Sequence, residues 1–242
     1  MSPLVILIGV IVLAVVLYML YMYFFSPTYT LSSSAYLGAG PITVKNDKIP
    51  SQQTNQFNYS MWVYMNSWSS PTQKQELLTM SSSSKNKVYF KLYLETDETS
   101  VPVLKLKFSE ENGSRWYTLS NSFPIQKWCY IVVNVDGPSG TFDSYLDGKL
   151  VLSRKQVSGF TSPDNRDNDS SVTITMGKYN TSSNPDVYLG NVQRSTVLVS
   201  PQEVWKTYST TSVPTSTGIL PSYNVQFSLF NDGKLQTQTT LL

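Results

Sequence analysis

The chain has no histidine among its 242 residues and a single cysteine, Cys129. Without imidazole, a Ser-His-Asp triad, a Cys-His pair and a His-ligated zinc site are all excluded, and with them the commonest routes to nucleophilic and metal catalysis at neutral pH. One cysteine also excludes an internal disulfide framework, which favours a reducing compartment for a domain large enough to do without one. Charge is scarce as well: Asp, Glu, Lys and Arg make up 14% of the residues and the formal net charge is +2. Both signs are scattered and no basic run occurs, so there is no electrostatic footprint for nucleic acid, and no such partner is expected.

A different absence marks the start of the chain. Residues 4–25 contain no charge, no Asn or Gln and no proline, and a helix of that length reaches roughly 33 Å, about the thickness of a bilayer's hydrocarbon core. Met1-Ser2-Pro3 lacks the basic leader of a cleaved signal peptide. Tyr18, Tyr21, Tyr23, Phe24 and Phe25 gather where an interfacial aromatic belt would lie. Residues 1–25 are therefore expected to be an uncleaved single-pass transmembrane anchor, with the lipid bilayer as a partner. No Lys or Arg precedes the span and Lys45 is the first after it, which leaves its orientation open.

Residues 26–56 are rich in Ser, Thr, Pro and Gly, as in a spacer carrying one or two edge strands. From Phe57 the period becomes two. Phe57, Tyr59, Met61, Val63 and Met65 share one face, and Asn58, Ser60, Trp62, Tyr64 and Asn66 the other. In residues 87–95, Val88, Phe90, Leu92 and Leu94 alternate with Lys87, Tyr89, Lys91, Tyr93 and Glu95, which predicts one core face and one wet face. Leu104, Leu106 and Phe108 alternate with Lys105 and Lys107, and the turn residues 110–114 lead into a strand over 115–119. Residues 128–135 are apolar on both faces, as a central strand would be, with Cys129 in phase with Ile131, Val133 and Val135 as a core filler. Asp147-Gly148 sits between two strand patterns and tolerates the positive φ of a tight hairpin turn.

Shorter strands are predicted over 172–176 and 187–189. Ser200-Pro201-Gln202-Glu203 then spells a capping box with proline at the first helical position, which predicts a helix through about Tyr208. A Ser/Thr/Pro linker over 209–222 precedes a closing hairpin around Asn231-Asp232-Gly233. That hairpin either completes the domain's sheet or pairs with a neighbour's edge. Many short strands, turn signals and one helix imply a single all-β antiparallel sandwich over 57–208, with linker and hairpin over 209–242.

Three segments, in order, resemble the laminin-G-like or concanavalin A-like jelly-roll domains. Residues 57–63 (FNYSMWV) are similar to the opening core strand with its tryptophan. Residues 123–133 (FPIQKWCYIVV) and 145–151 (YLDGKLV) resemble the tryptophan strand and its Asp-Gly hairpin. Residues 190–192 and 198–204 resemble the last core strand and its capped helix. The resemblance implies two curved antiparallel sheets packed face to face, a frame that serves lectins, glycosidases, adhesion modules and virion proteins alike, so fold does not settle function.

Glycoside hydrolysis needs only two carboxylates, and some glycosidases on this frame carry Glu-x-Asp-x-x-Glu along one strand. Glu95-Thr96-Asp97 begins that pattern, but Ser100 stands where the third carboxylate is needed and Glu98 falls on the opposite face. A charged strand end is the simpler reading, and no catalytic residue is expected. Asp164, Asp167, Asn168 and Asp169 form the one dense oxygen cluster; a solvated turn accounts for it without calcium, and no metal or cofactor is expected. Trp62, Trp116 and Trp128 are read as core. Trp68, in a Ser-rich loop, is read as a surface contact, and Lys91, Lys105 and Lys107 as a polar face able to serve as a basic stripe. Asn58, Asn112, Asn168 and Asn180 begin Asn-x-Ser/Thr sequons and are glycosylation candidates.

The anchor, the laminin-G-like domain and the Asn/Ser/Thr-rich loops together look like single-pass proteins of large DNA viruses of algae and protists. That resemblance implies a non-catalytic minor capsid protein linking an internal virion membrane to the shell, with capsid or other structural proteins as partners. The alternative is a membrane-tethered lectin-like module that grips glycans through aromatics and asparagines, and the third reading is a glycoside hydrolase.

Overall fold

Period-two side-chain patterns pair into antiparallel ladders that build two six-stranded sheets. The computed structural model describes residues 10–18, 20, 28–45, 48–49, 54, 56–68, 74–98, 100–110, 113–155, 171–179, 186–211, 225–231 and 234–241. The strands are β1 (Thr28–Tyr36), β2 (Ile42–Lys45), β3 (Gln56–Met65), β4 (Lys74–Ser82), β5 (Lys87–Thr96), β6 (Pro102–Glu110) and β7 (Gly113–Ser120). They continue with β8 (Trp128–Asp136), β9 (Thr141–Leu146), β10 (Lys149–Lys155), β11 (Val172–Tyr179), β12 (Val187–Ser195), β13 (Val225–Asn231) and β14 (Lys234–Leu241). Sheet A runs β1-β12-β3-β8-β9-β10 and sheet B runs β2-β11-β4-β5-β6-β7.

The inward faces are those the alternation predicts. Phe57, Tyr59, Met61, Val63 and Met65 of β3 and Cys129, Ile131, Val133 and Val135 of β8 meet Phe90, Leu92 and Leu94 of β5 and Leu104, Leu106 and Phe108 of β6 in one buried cluster. Ring contacts bridge the sheets, with Phe57 against Phe90 at 6.2 Å and Phe108 against Phe142 at 5.0 Å. The β9–β10 turn has Asp147 at φ 48° and Gly148 at φ 78°, the two positive dihedrals whose twist matches the flanking strands. Asp147 also accepts hydrogen bonds from the Tyr130 backbone N–H (2.9 Å) and Lys127 Nζ (2.8 Å), which fastens this turn to β8.

The one or two edge strands expected in the spacer over 26–56 are β1 and β2, the outermost strands of sheets A and B. Three outcomes differ from the sequence expectation. The strand predicted over 187–189 runs on to Ser195, pairing with β3 on both sides of a register shift between Gly190 and Gln193. That shift moves Arg194 inside, where its guanidinium lies 5.3 Å from the Phe57 ring and 5.9 Å from the Tyr59 ring. Burial is what raises the Tyr59 phenol above its ordinary range, against the opposing pull of Arg194. The polar face of β5 is not freely wet, since Tyr89 and Tyr93 are buried. Lastly, the polar Asn58 and Ser60, on the far face of β3, are buried alongside Trp62, the tryptophan read as core.

The cover over β3 is α2 (Pro201–Thr210), two residues longer than predicted. Ser200 Oγ accepts from Glu203 N (3.2 Å) and Glu203 Oε2 accepts from Ser200 N (2.8 Å), so the capping box forms as spelled. Val204 then packs on Trp62, Tyr130, Val132 and Tyr145, a second, smaller core outside sheet A. Asn58 and Asn134, register partners on β3 and β8, donate from Nδ2 to Val197 O (2.5 Å) and Val199 O (2.7 Å) and hold the α2 approach to the sheet.

β13 and β14 form a separate two-stranded sheet, the predicted closing hairpin. At the other end, residues 10–18 and 20 are helical (α1), with exposed apolar side chains from Val10 to Tyr18. Among the described residues no helix is long and apolar enough to cross a membrane. The remainder of the span expected over 1–25 lies outside the described residues.

Candidate functional site

The outer face of sheet B gathers four lysines and two glutamates into one interlocked group. Across adjacent strands, Thr79 stands opposite Lys91, Lys91 opposite Lys107, and Lys107 opposite Trp116. Directly opposed residues of an antiparallel pair share a face, so this row crosses β4, β5, β6 and β7. Beside it, Glu76 pairs with Tyr93 and Tyr93 with Lys105; beyond that, Lys74 pairs with Glu95.

The side chains interlock. Lys91 Nζ reaches Glu76 Oε1 at 2.5 Å, Lys105 Nζ bonds Glu95 Oε1, and Lys74 Nζ lies 3.7 Å from Glu95 Oε2. Lys74 also sits 4.4 Å from the Tyr93 ring centroid and 5.4 Å from that of Trp116. A β4 side chain thus meets a β7 side chain over the two strands between them, which makes this face concave. Tyr93 meets Trp116 edge-on at 5.7 Å, and burial, then the Glu95 charge, push its phenol well above the usual tyrosine range.

Lys107 differs from the other three lysines. Its Nζ lies 4.5 Å over the Trp116 ring, and it pairs with no carboxylate among the described residues. Burial first, then the charges of Lys91 and Lys74, hold it below the ordinary lysine range. With Trp116 still 49% exposed, the face presents an indole next to an uncompensated, crowded cation. An aromatic face accepts a pyranose C–H surface, and a crowded ammonium gains from a carboxylate, sulfate or phosphate.

The sequence-predicted residues fall unevenly on this face. Lys91, Lys105 and Lys107 come together as expected. Trp116, read as core, is the exposed anchor, whereas Trp68, read as a surface contact, is partly buried on the main core with Nε1 donating to Thr96 Oγ1 at 3.1 Å. The register carries the missed signal. With Leu106 inward and opposite Tyr117, the next pair, Lys107 and Trp116, has to face outward. Lys74 and Glu76 were missed because residues 74–82 offer no clean alternation.

The remaining candidates lie elsewhere. Glu95 is engaged by two lysines, and Asp97 Oδ1 accepts the Val101 backbone N–H at 2.8 Å within a turn. Neither is arranged as an acid/base pair. Asn58 is 3% exposed and its amide nitrogen holds Val197 O, so the atom a glycan would take is committed. Asn112, Asn168, Asn180 and the cluster Asp164, Asp167, Asn168 and Asp169 lie outside the described residues. Among the described residues no three His, Cys, Asp or Glu side chains converge on a metal position. Cys129 is buried, and burial with the nearby Asp147 charge pushes its thiol up to about 12.

A second aromatic row crosses the outer face of sheet A, where Tyr36, Tyr188, Tyr64 and Trp128 are successive register partners on β1, β12, β3 and β8. Tyr36 and Tyr188 stack at 4.7 Å and Tyr64 meets Trp128 at 5.4 Å. These rings contact one another and no lysine lies over them among the described residues, whereas Trp116 is met by Tyr93 edge-on and by the ammonium groups of Lys107 and Lys74.

Among solved structures the fold is similar to the binding domain of botulinum neurotoxin DC in complex with rat synaptotagmin II, at 16% identity and TM-score 0.54 over 70% of this chain and 40% of that one. It is similar to the same toxin's binding domain in complex with SialylT, at 17% identity and TM-score 0.54 over 70% and 39%. The botulinum neurotoxin type G receptor-binding domain matches at 16% identity and TM-score 0.51 over 75% and 45%. The chain therefore spans about two fifths of the length of these structures, and identities at this level establish the shared fold alone. No curated protein sequence matches the chain. The sequence signature of the concanavalin A-like lectin/glucanases superfamily matches residues 38–205, and the chain belongs to that superfamily.

Proposed function

We propose that this domain is a non-catalytic binding module that takes an acidic saccharide on the concave face of sheet B. The observation that carries the reading is the half-exposed indole of Trp116 beside Lys107, the one lysine of that face without a carboxylate among the described residues. The sugar ring lies on the indole, and its carboxylate or sulfate meets Lys107 and Lys74. The superfamily contains lectins, and one structural neighbour was solved with SialylT, both of which support a glycan ligand. Catalysis is not part of the proposal, because the carboxylates of the face, Glu76 and Glu95, are each held by lysine.

The test is a glycan array and calorimetry with the full chain in detergent. Sialylated, uronic or sulfated oligosaccharides are expected to bind, neutral ones at least tenfold more weakly at this face. Trp116→Ala and Lys107→Met should each cut affinity for the acidic probe about tenfold, equivalent to about 1.4 kcal/mol. Unchanged affinity in both variants, or no acidic ligand at all, overturns the reading.

A mechanical reading accompanies it. We propose that α1 belongs to a single-pass membrane anchor, supported by the uncharged run over 4–25 and the exposed apolar side chains of α1. Within that reading, a tether beneath a virion shell is the form suggested by the sequence resemblance; the binding face itself singles out no capsid partner. Cross-linking in the native assembly tests it, by asking whether shell proteins are captured.

A further inference from the structure

We infer that the cavity beneath α2, on the opposite side of the sandwich from the cationic face, is a binding site for a single neutral sugar ring or cyclic polyol. It measures about 180 Å³ and lies between α2 and the outer face of sheet A. That is below the roughly 300–1,000 Å³ of a drug-sized ligand's pocket. One small ring fits, and a second does not.

The lining suits hydroxyl groups. Asn58, Ser60, Gln193 and Thr207 all border the cavity, the first two buried. Asn58 Nδ2 is committed to Val197 O and Gln193 Nε2 to Asn191 Oδ1 at 3.0 Å, so each amide keeps its carbonyl oxygen as an acceptor for a ligand O–H. Tyr130 adds an aromatic wall beside them. The charge of the lining excludes an anion: its one ionisable carboxylate is Glu203, and neither Lys nor Arg borders the space. Glu203 receives the Ser200 backbone N–H, which lowers its pKa and keeps it ionised. The two faces of the molecule therefore select opposite chemistries, acidic on sheet B and neutral here.

Position adds a second constraint. Thr28, which opens β1, also borders the cavity, and it follows the end of the uncharged run at Phe25 by three residues. Three residues span at most about 11 Å. If the run lies in a bilayer, the cavity faces the headgroup layer, so the ring is either that of a soluble saccharide or that of a neutral glycolipid headgroup.

The experiment titrates the full chain in detergent with methyl β-glucoside, methyl β-galactoside, N-acetylglucosamine and myo-inositol, with sialic acid as the acidic control. At least one neutral probe should bind. Thr207→Trp, which fills the cavity from a half-buried helix position, and Gln193→Ala should each weaken it at least tenfold. Trp116→Ala should leave it unchanged, which separates this site from the sheet B face. Hydrogen exchange over 193–207 then identifies the source: protection by phosphatidylcholine vesicles carrying galactosylceramide marks a headgroup, and protection by the free glycoside alone marks a soluble sugar. The inference is overturned if no neutral probe binds, if both cavity variants bind normally, or if Trp116→Ala abolishes binding.

Discussion

Lys107 and Cys129 show how one environment sets both reactivity and pH response. Because Lys107 is held below the ordinary lysine value of about 10.4, its ammonium is lost at a lower pH than that of an unperturbed lysine. Affinity for an acidic saccharide should therefore fall on approach to that range, and Lys107→Met should flatten the profile measured by calorimetry. Stability takes the opposite slope. The native state binds fewer protons than the unfolded chain across that window, so the Lys107 contribution improves as pH rises through it. Cys129 behaves in reverse: its thiol stays protonated in the fold up to about 12, while the unfolded thiol ionises from about 8.5. The native state then holds the extra proton, and stability is lost as pH climbs through that interval. A thiol reagent at pH 8 should label unfolded but not native protein; rapid native labelling would contradict the burial. Phase with Ile131, Val133 and Val135 already assigned this thiol to the core. Nothing comparable located Trp116, because its neighbours on β7 are mostly exposed on both faces.

At the scale of elements, α2 and the β9–β10 hairpin form one unit. Gly148 has φ +78°, and a Cβ there would lie 2.7 Å from Trp205 Cε3 on α2. Gly148→Ala should cost about 1–3 kcal/mol, combining backbone strain with displaced helix packing, measured by urea denaturation with Trp205 fluorescence. Ser200→Ala removes the capping hydroxyl and should cost about 1 kcal/mol, weakening the lid over Trp62 and Tyr130. An undiminished midpoint in both variants would show that α2 contributes nothing to the fold. Capping box, Asp-Gly turn and helix start were all legible, since each is a local hydrogen-bond device written in consecutive residues. The face that α2 covers was not, because Trp62 alternates with Met61 and Val63 whether or not a helix lies above it.

For the whole molecule, the concave face carries four lysines against two glutamates, Lys74, Lys91, Lys105 and Lys107 with Glu76 and Glu95. Acidic-ligand affinity should fall several-fold between 50 and 500 mM salt as screening shortens from roughly 14 Å to about 4 Å, whereas neutral-ring binding under α2 should not change. Equal salt responses at the two faces would contradict the charge assignment. Vesicle flotation of the full chain tests the anchor: native protein should float with phosphatidylcholine vesicles, and a Val12→Lys, Val16→Lys double variant should lose most of that association, since a charge at mid-span costs about 2.5–3.5 kcal/mol.

Sequence alone determined the class of fold, the inward faces of β3, β5, β6 and β8, the Asp147-Gly148 turn and the helix cap, because these depend on alternation and on contacts only a few residues apart. Tertiary structure decided the rest. Only the register of β4 to β7 could set Lys74, Tyr93, Lys107 and Trp116 around one hollow, and only the docking of α2 on sheet A could close a cavity between residues as distant as Thr28 and Thr207. The sheet B site is built on four consecutive strands and the cavity under α2 on segments remote in the chain, and in both the geometry follows from sheet curvature and packing, for which no local pattern is a proxy.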